Sequence, residues 1–199
     1  SILFGLATPT EGAAMGAVGS ILLTLAYRKF NLDIFKGALL KTLEITTLIM
    51  VLVAASNFFG SVFSRLGTPT MITEYLMTLD LPPMVLLLII MAFIFLLAWP
   101  LEWVPIVLII IPIILPLVVQ LGFDLTWFAI LVAVNLQTAW LSPPVALSAY
   151  FLKGVAPDWD LKDIYKGMMQ FMCIQVVGLT LIILFPQIAL WLPNYLYGN

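Results

Sequence analysis

Long apolar runs divide the chain, and most are too long and too uniform to be anything but membrane-spanning helices. They cover residues 11–29, 39–67, 81–122, 125–152 and 164–193. About 20 apolar residues cross the hydrocarbon layer as a helix, whereas membrane-spanning strands alternate apolar and polar residues. No such alternation is present here, so the pattern predicts an all-α integral membrane protein. A short, more polar stretch between the second and third runs, residues 68–79, is predicted to rest at the membrane interface.

The run over residues 81–122 is long enough for two spans. Its middle, "AWPLEWVP", holds Pro100, Pro105 and the run's only acid, Glu102. Two interpretations remain open: a pair of spans joined by a minimal turn, or a re-entrant hairpin whose tip stops inside the membrane. Both return the chain to the side from which it came.

The next run contains a break in "NLQTAWLSPPVALSAY", residues 135–150, where Pro143 and Pro144 are adjacent. Proline removes a backbone donor and disfavours helical geometry in the preceding residue. Inside the hydrocarbon layer, non-helical backbone is tolerated only within protein or against a water-filled cavity. An interrupted helix therefore predicts a transporter site, and a simple structural kink is the alternative.

The residues around this break carry neutral oxygen atoms that can bind a cation. Asn135, Thr138, Ser142 and the carbonyls near Leu141 are hard ligands of the kind that bind Na⁺ at interrupted membrane helices. Polar or irregular sequence also occurs in "GLATPTEG", residues 5–12, which adds two candidate hydroxyl ligands, Thr8 and Thr10. A plain helix start is the competing explanation there, because an acid in the first turn after Pro9 is a helix N-terminal pattern.

Composition excludes several classes of function. The chain of 199 residues is 63% hydrophobic and 9% charged, with a mean hydropathy of +1.17, which no soluble domain of this length accommodates. It has no histidine and one cysteine, Cys173, so histidine relays, thiolate clusters and Ser-His-Asp chemistry are not expected within it. We expect no enzyme activity and no nucleic-acid partner. Because it starts at Ser1 without a signal-type n-region, we expect a longer parent protein.

Charge predicts the orientation in the membrane. If each run crosses once and residues 81–122 return, two basic clusters lie on one face, which the positive-inside rule makes cytoplasmic. The hairpin of residues 81–122 then opens from the outer side of the membrane, and the C-terminus is also outside. Arg65 is the one basic residue that belongs to neither cluster. The clusters follow the first and fourth runs and comprise Arg28, Lys29, Lys36, Lys41, Lys153, Lys162 and Lys166.

Three motifs together resemble the C-terminal half of the large membrane subunit of TRAP (tripartite ATP-independent periplasmic) transporters. They are "GLATPTEGAAMGA", "LEWVPIVLIIIPIILPLVVQLGFD" and "AVNLQTAWLSPPVALSAYFLKGVAP". The resemblance covers residues 5–193 and implies an elevator-type carrier of two inverted repeats, each with a re-entrant hairpin and a broken transmembrane helix. This chain would be the second repeat.

The resemblance also implies the physiological setting. The complex would import a small carboxylate across the inner membrane of a bacterium or archaeon, with Na⁺ as coupling ion and no other cofactor. A periplasmic substrate-binding protein would deliver the solute, and a small membrane subunit and the first-repeat half would complete the carrier within the lipid bilayer. A related anion carrier without a binding protein, and a structural membrane subunit that transports nothing, are the alternatives.

Site residues follow from the same resemblance. Residues 1–80 would hold the first helices and the interfacial helix, 81–153 the hairpin and broken helix, and 154–199 the last span and tail. Na⁺ would bind carbonyls near Leu141 and the hydroxyls of Thr138 and Ser142. The hairpin tip and the break would supply the binding positions Ala98, Trp99, Pro100, Leu101, Glu102, Asn135, Thr138, Leu141, Ser142 and Pro143.

The chain departs from the family pattern at three of these positions or beside them. The family usually has glycine at the positions of Ala98 and Ala146, and threonine at that of Ser142. Ser142 keeps a hydroxyl for ion binding. Ala98 and Ala146 each add a methyl group where the backbone would approach an ion closely.

Overall fold

The computed structural model describes residue 5 and residues 7–101, 103–142 and 147–198, and in these the regular secondary structure is helical throughout. The prediction of an all-α protein is confirmed. The chain forms two compact units, Ser1–Val51 and Leu52–Asn199, which are described separately. The helices are α1 (Pro9–Ala26), α2 (Leu32–Arg65), α3 (Thr68–Met77), α4 (Pro83–Ala98), α5 (Trp103–Gln120), α6 (Leu125–Leu136), α7 (Leu147–Val155), α8 (Leu161–Leu184) and α9 (Gln187–Tyr197).

In the first unit, α1 begins with a capping box. The Thr8 amide donates to Glu11 Oε2 at 2.7 Å, and the Glu11 amide donates to Thr8 Oγ1 at 3.3 Å. Pro9 occupies the first turn, where its missing N–H removes no helical hydrogen bond. Glu11 thus has the plain role of an acid in the first turn of a helix.

Three of the described helices, α2, α5 and α8, are long and apolar enough to cross a membrane, whereas α4 and α6 are apolar but shorter. α2 has 34 residues and is about 51 Å long at ~1.5 Å per residue. This exceeds a hydrocarbon layer of about 30 Å, so α2 tilts or extends beyond it. The chain is a membrane protein by these features.

Residues 81–122 form two helices joined by a short turn. α4 ends at Ala98, and α5 begins at Trp103 and contains a π-helical turn over Ile106–Ile110. In this turn the Ile111 amide donates to the carbonyl of Ile106, five residues back. Pro112 follows and has no N–H to offer, which accounts for the irregular winding just before it. A re-entrant course for this pair stays a prediction.

The core of the second unit lies among α4, α5 and α6. α3 packs along α5, and α8 and α9 both contact α6. Leu76 of α3 contacts the core cluster, so this short helix is also held by protein contacts. The largest fully buried apolar side chains are Leu87, Ile94, Ile106, Leu117, Phe128 and Leu131.

The last apolar run is not one element. α8 ends at Leu184, and Phe185 leaves helical geometry at φ −126° and ψ 75°. Pro186 follows, and proline disfavours helical geometry in the residue before it. The chain then continues as α9. Pro186 marks this break in the sequence, but the prediction of a single run over residues 164–193 did not use it.

Candidate ion-binding site

The helix is interrupted ahead of the two prolines. α6 ends at Leu136, a 3₁₀ segment follows over Gln137–Trp140, and the chain turns before helix resumes at Leu147. Pro143, Pro144 and Ala146 lie outside the described residues. Because residues 143 and 144 have no N–H, the carbonyls of Ala139 and Trp140 have no α-helical donor. The break therefore leaves main-chain oxygens available.

Three polar side chains at the break are fully buried. Asn135, Thr138 and Ser142 are each 0% exposed, and their spacing of three and four residues places them along one side of the segment. The Thr138 hydroxyl donates to the carbonyl of Asn135 at 2.7 Å. The Ser142 hydroxyl reaches the Ala139 carbonyl only at 3.5 Å. Each hydroxyl oxygen keeps acceptor capacity for a cation.

Asn135 links the break to α4. Its Nδ2 donates to the carbonyl of Met91 at 2.8 Å, whereas its buried Oδ1 has no hydrogen-bond partner among the described residues. Buried polar atoms without a partner are rare and unfavourable. A cation bound at this oxygen would satisfy it. Asn135, Thr138, Ser142 and the freed carbonyls are thus uncharged oxygen groups of the type that binds Na⁺ at interrupted membrane helices, and their joint role in ion binding stays a prediction.

The end of α4 lies beside the break. α4 contacts both α6 and the 3₁₀ segment, and Ala98, fully buried, belongs to the same core cluster as Leu136 and Ala139. Trp99 and Leu101, in the turn that follows, are 36% and 38% exposed, and Pro100 is exposed. The structure thus brings the α4 terminus and the break together. Glu102 lies outside the described residues.

Thr8 and Thr10 belong to the first unit and are exposed at the start of α1. The Thr8 hydroxyl also donates to Glu11 Oε2 at 2.9 Å. Their proposed part in ion binding stays a prediction.

Two glutamines near the break did not emerge from the sequence analysis. Gln175 of α8 donates to the carbonyl of Val134 at 3.0 Å and to Gln137 Oε1 at 2.6 Å. Both side chains line an otherwise apolar groove of about 790 Å³, together with Trp103 and Trp140. An isolated glutamine inside an apolar run was the available signal. The Met91 carbonyl had none, since every residue has a carbonyl.

Known proteins match the chain along nearly all of its length. The model of the family described as "Tripartite ATP-independent periplasmic transporter, DctM component" matches residues 1–188. The sialic acid TRAP transporter large permease protein SiaM of Vibrio cholerae is 28% identical over 99% of this chain and 46% of its own length. The C4-dicarboxylate TRAP transporter large permease protein DctM of Pseudomonas aeruginosa is 29% identical over 98% of this chain and 46% of its own.

The isethionate TRAP transporter permease protein DctMQ of Oleidesulfovibrio alaskensis is 25% identical over 94% of this chain and 29% of its own length. The chain thus spans about half the length of the first two relatives and a smaller share of the third. These relatives are named as transporter permeases and not as enzymes. The match of the family model over residues 1–188 shows that the chain belongs to the DctM component family of tripartite ATP-independent periplasmic transporters.

Proposed function

We propose that this chain is the second-repeat part of a Na⁺-coupled secondary transporter that imports a small carboxylate delivered by a periplasmic binding protein. It works in the inner membrane as a multi-pass protein, with a small membrane subunit and the first-repeat half of the large subunit. The hairpin and broken helix move together as part of an elevator.

The observation that carries the proposal is the buried, unpartnered Oδ1 of Asn135 beside an interrupted helix. A purely structural kink needs no unsatisfied acceptor, and such an atom is unfavourable in a core. A bound Na⁺ explains why it is kept. The hydroxyls of Thr138 and Ser142 and the carbonyls freed by the two prolines complete the ligand set.

The names of the relatives support a small organic anion as the substrate, and two of the three fit a carboxylate. One is named for sialic acid, one for C4-dicarboxylates and one for isethionate. Sialic acid and the dicarboxylates carry carboxylates, and isethionate carries a sulfonate, so all three are small organic oxyanions. A cation bound nearby offsets the charge of such an anion where the dielectric constant is low.

Uptake into proteoliposomes by the full-length subunit with its small membrane subunit tests the ion site. Thr138→Ala and Ser142→Ala should each raise the Na⁺ concentration for half-maximal uptake about tenfold, equivalent to ~1.4 kcal/mol per lost ligand. Ser142→Thr keeps the hydroxyl and should retain Na⁺ dependence close to the parent.

Thr180→Ala is the matched control, because the Thr180 hydroxyl donates only to the carbonyl of Val176 on the exposed side of α8. Unchanged Na⁺ dependence in both alanine variants would remove Thr138 and Ser142 from the ion site. Uptake by the parent without a Na⁺ gradient would refute the coupling. Full-rate uptake without a periplasmic binding protein would contradict that part of the proposal.

A further inference from the structure

A second cavity, separate from the helix break, lies between the C-terminal half of α2 and α5 within the second unit. It has a volume of about 660 Å³. Its polar lining residues come from α2 and the start of α3, and none of its lining residues within the described part of the chain is acidic. They are Ser56, Asn57, Ser61, Ser64, Arg65 and Thr70.

The polar residues of α2 form one stripe. Those that line the cavity lie at 56–57, 61 and 64–65, and this spacing of three to four residues keeps them, with Gly60, on one side of the helix. From Ser56 to Arg65 the stripe rises about 13 Å at ~1.5 Å per residue. Polar side chains therefore line the α2 side of the cavity over this length.

Ser56 contributes a hydroxyl to the wall of the cavity that is free to hydrogen-bond an occupant. Ser56 is only 5% exposed, yet it lines the cavity. Its hydroxyl makes no hydrogen bond to another residue in the described ranges. A hydroxyl that is free to donate and accept in a cavity wall favours a polar occupant over an apolar one.

The opposite wall is also polar at its backbone. Pro112 and Pro116 of α5 both line the cavity, and neither has an N–H. The carbonyls of Leu108 and Pro112 therefore have no α-helical donor. These oxygens can accept hydrogen bonds from water or from the hydroxyl groups of a solute.

Charge indicates the sign of the occupant. Arg65 is the single charged residue of the wall, and no ion pair of Arg65 is found within the described part of the chain. A guanidinium group binds carboxylates and sulfonates through paired hydrogen bonds. An acyl chain would leave Ser56 and Asn57 unsatisfied, so a lipid tail does not fit.

We propose that this cavity, the α2–α5 groove, binds a small organic oxyanion, with Arg65 holding the acid group and the Ser and Asn side chains hydrogen-bonding the remainder. The site is distinct from the ion ligands at the break and gives the solute a polar route along α2. This step rests on the proposed function, since the anion is taken to be the transported solute.

Thiol labelling in proteoliposomes of neutral lipid tests the groove. In the full-length subunit, with its small membrane subunit, Cys173 and any cysteine outside this chain are replaced by serine, and either Ser61→Cys or Val62→Cys is added. Val62 is adjacent in sequence but does not line the groove. A negatively charged methanethiosulfonate reagent should modify Ser61→Cys readily and Val62→Cys hardly at all, because only a thiol in water ionises and reacts.

Succinate, sialic acid and isethionate are then added separately, and at least one should slow the labelling of Ser61→Cys. Adding Arg65→Gln should raise the concentration needed for this protection about tenfold, because the charge-assisted hydrogen bonds from the guanidinium group to the acid are lost. The unfolding temperature of each variant, measured alongside, identifies any protein that has not folded. Arg65→Lys, which keeps the charge, then serves as the second variant. In it the added anion should protect Ser61→Cys more weakly than in the protein that keeps Arg65.

Equal labelling at the two positions, or no protection by any of the three anions, would overturn the proposal. Suppression of labelling by anionic lipid alone would assign the groove to a lipid headgroup and overturn it as well. Na⁺-dependent uptake is measured in the same vesicles. Protection without uptake would refute the proposed function and leave the anion site standing.

Discussion

Asn135 shows at the scale of one residue how stability and binding oppose each other. Its amide nitrogen is hydrogen-bonded to α4, whereas its amide oxygen is buried without a partner among the described residues. An apolar residue of similar size would avoid that unsatisfied oxygen. We infer that the oxygen is retained for what it binds.

Asn135→Leu separates the two roles. The variant keeps the branched shape of the side chain and removes both the unsatisfied Oδ1 and the Nδ2 bond to the Met91 carbonyl. Because these two changes affect stability in opposite directions, the unfolding temperature of the purified subunit should stay near that of the parent. Na⁺-dependent uptake should be lost, because the Oδ1 ligand is absent. Asn135→Ala should lower stability by about 1–3 kcal/mol, because it leaves a cavity as well.

Asn194→Leu is the control for this pair, since Asn194 is exposed on α9 and should affect neither measurement. Retained Na⁺ dependence in Asn135→Leu would show that the amide is structural.

At the scale of the element, α6 is held at both ends by specific hydrogen bonds. Asp124 caps its start by accepting from the Trp127 amide at 2.8 Å, and Trp127 Nε1 donates to the carbonyl of Ile182 on α8 at 3.0 Å. At the other end Gln175 of α8 donates to Val134. α8 thus supports the helix that leads into the break.

Trp127→Phe should lower the free energy of unfolding by about 0.5–1.5 kcal/mol, because it removes this hydrogen bond and leaves the Ile182 carbonyl with one donor fewer. Titration with a denaturing detergent measures it. Trp191→Phe is the matched control: Trp191 is 62% exposed and stacks on Tyr195. Equal effects of the two substitutions would contradict a specific α6–α8 bond.

At the scale of the whole molecule, the charge pattern predicts which side each loop faces. Single cysteines at Lys36 and Lys162, in a Cys173→Ser background, should be shielded from a membrane-impermeant thiol reagent added outside intact cells. Cysteines at Leu81 and Gly198 should react, because the positive-inside rule puts them in the periplasm.

The Cys173→Ser protein without further cysteines gives the baseline. Opposite behaviour of the Lys36 and Lys162 positions would show that residues 81–122 do not return to their starting side. Reversal of all four positions would invert the predicted orientation.

Much of this organisation followed from local chemistry. The capping pairs Thr8 with Glu11 and Asp124 with Trp127 formed where the sequence offers a cap. The helix stopped ahead of Pro143–Pro144, as two residues without an N–H require. Such features depend on residues within one turn of each other, and so they can be read from the sequence.

The amino-acid sequence by itself determined the membrane environment, most of the helical elements, the place of the break and the family, though not the division of the last run into α8 and α9. The tertiary structure alone decided that Asn135 meets the carbonyl of Met91, that Gln175 meets Gln137, and that the stripe on α2 faces α5. The physical reason is the uniform apolarity of α4 and α6. A helix that is apolar on all sides has no periodicity to mark its inward face, so only packing selects the face that meets its neighbour.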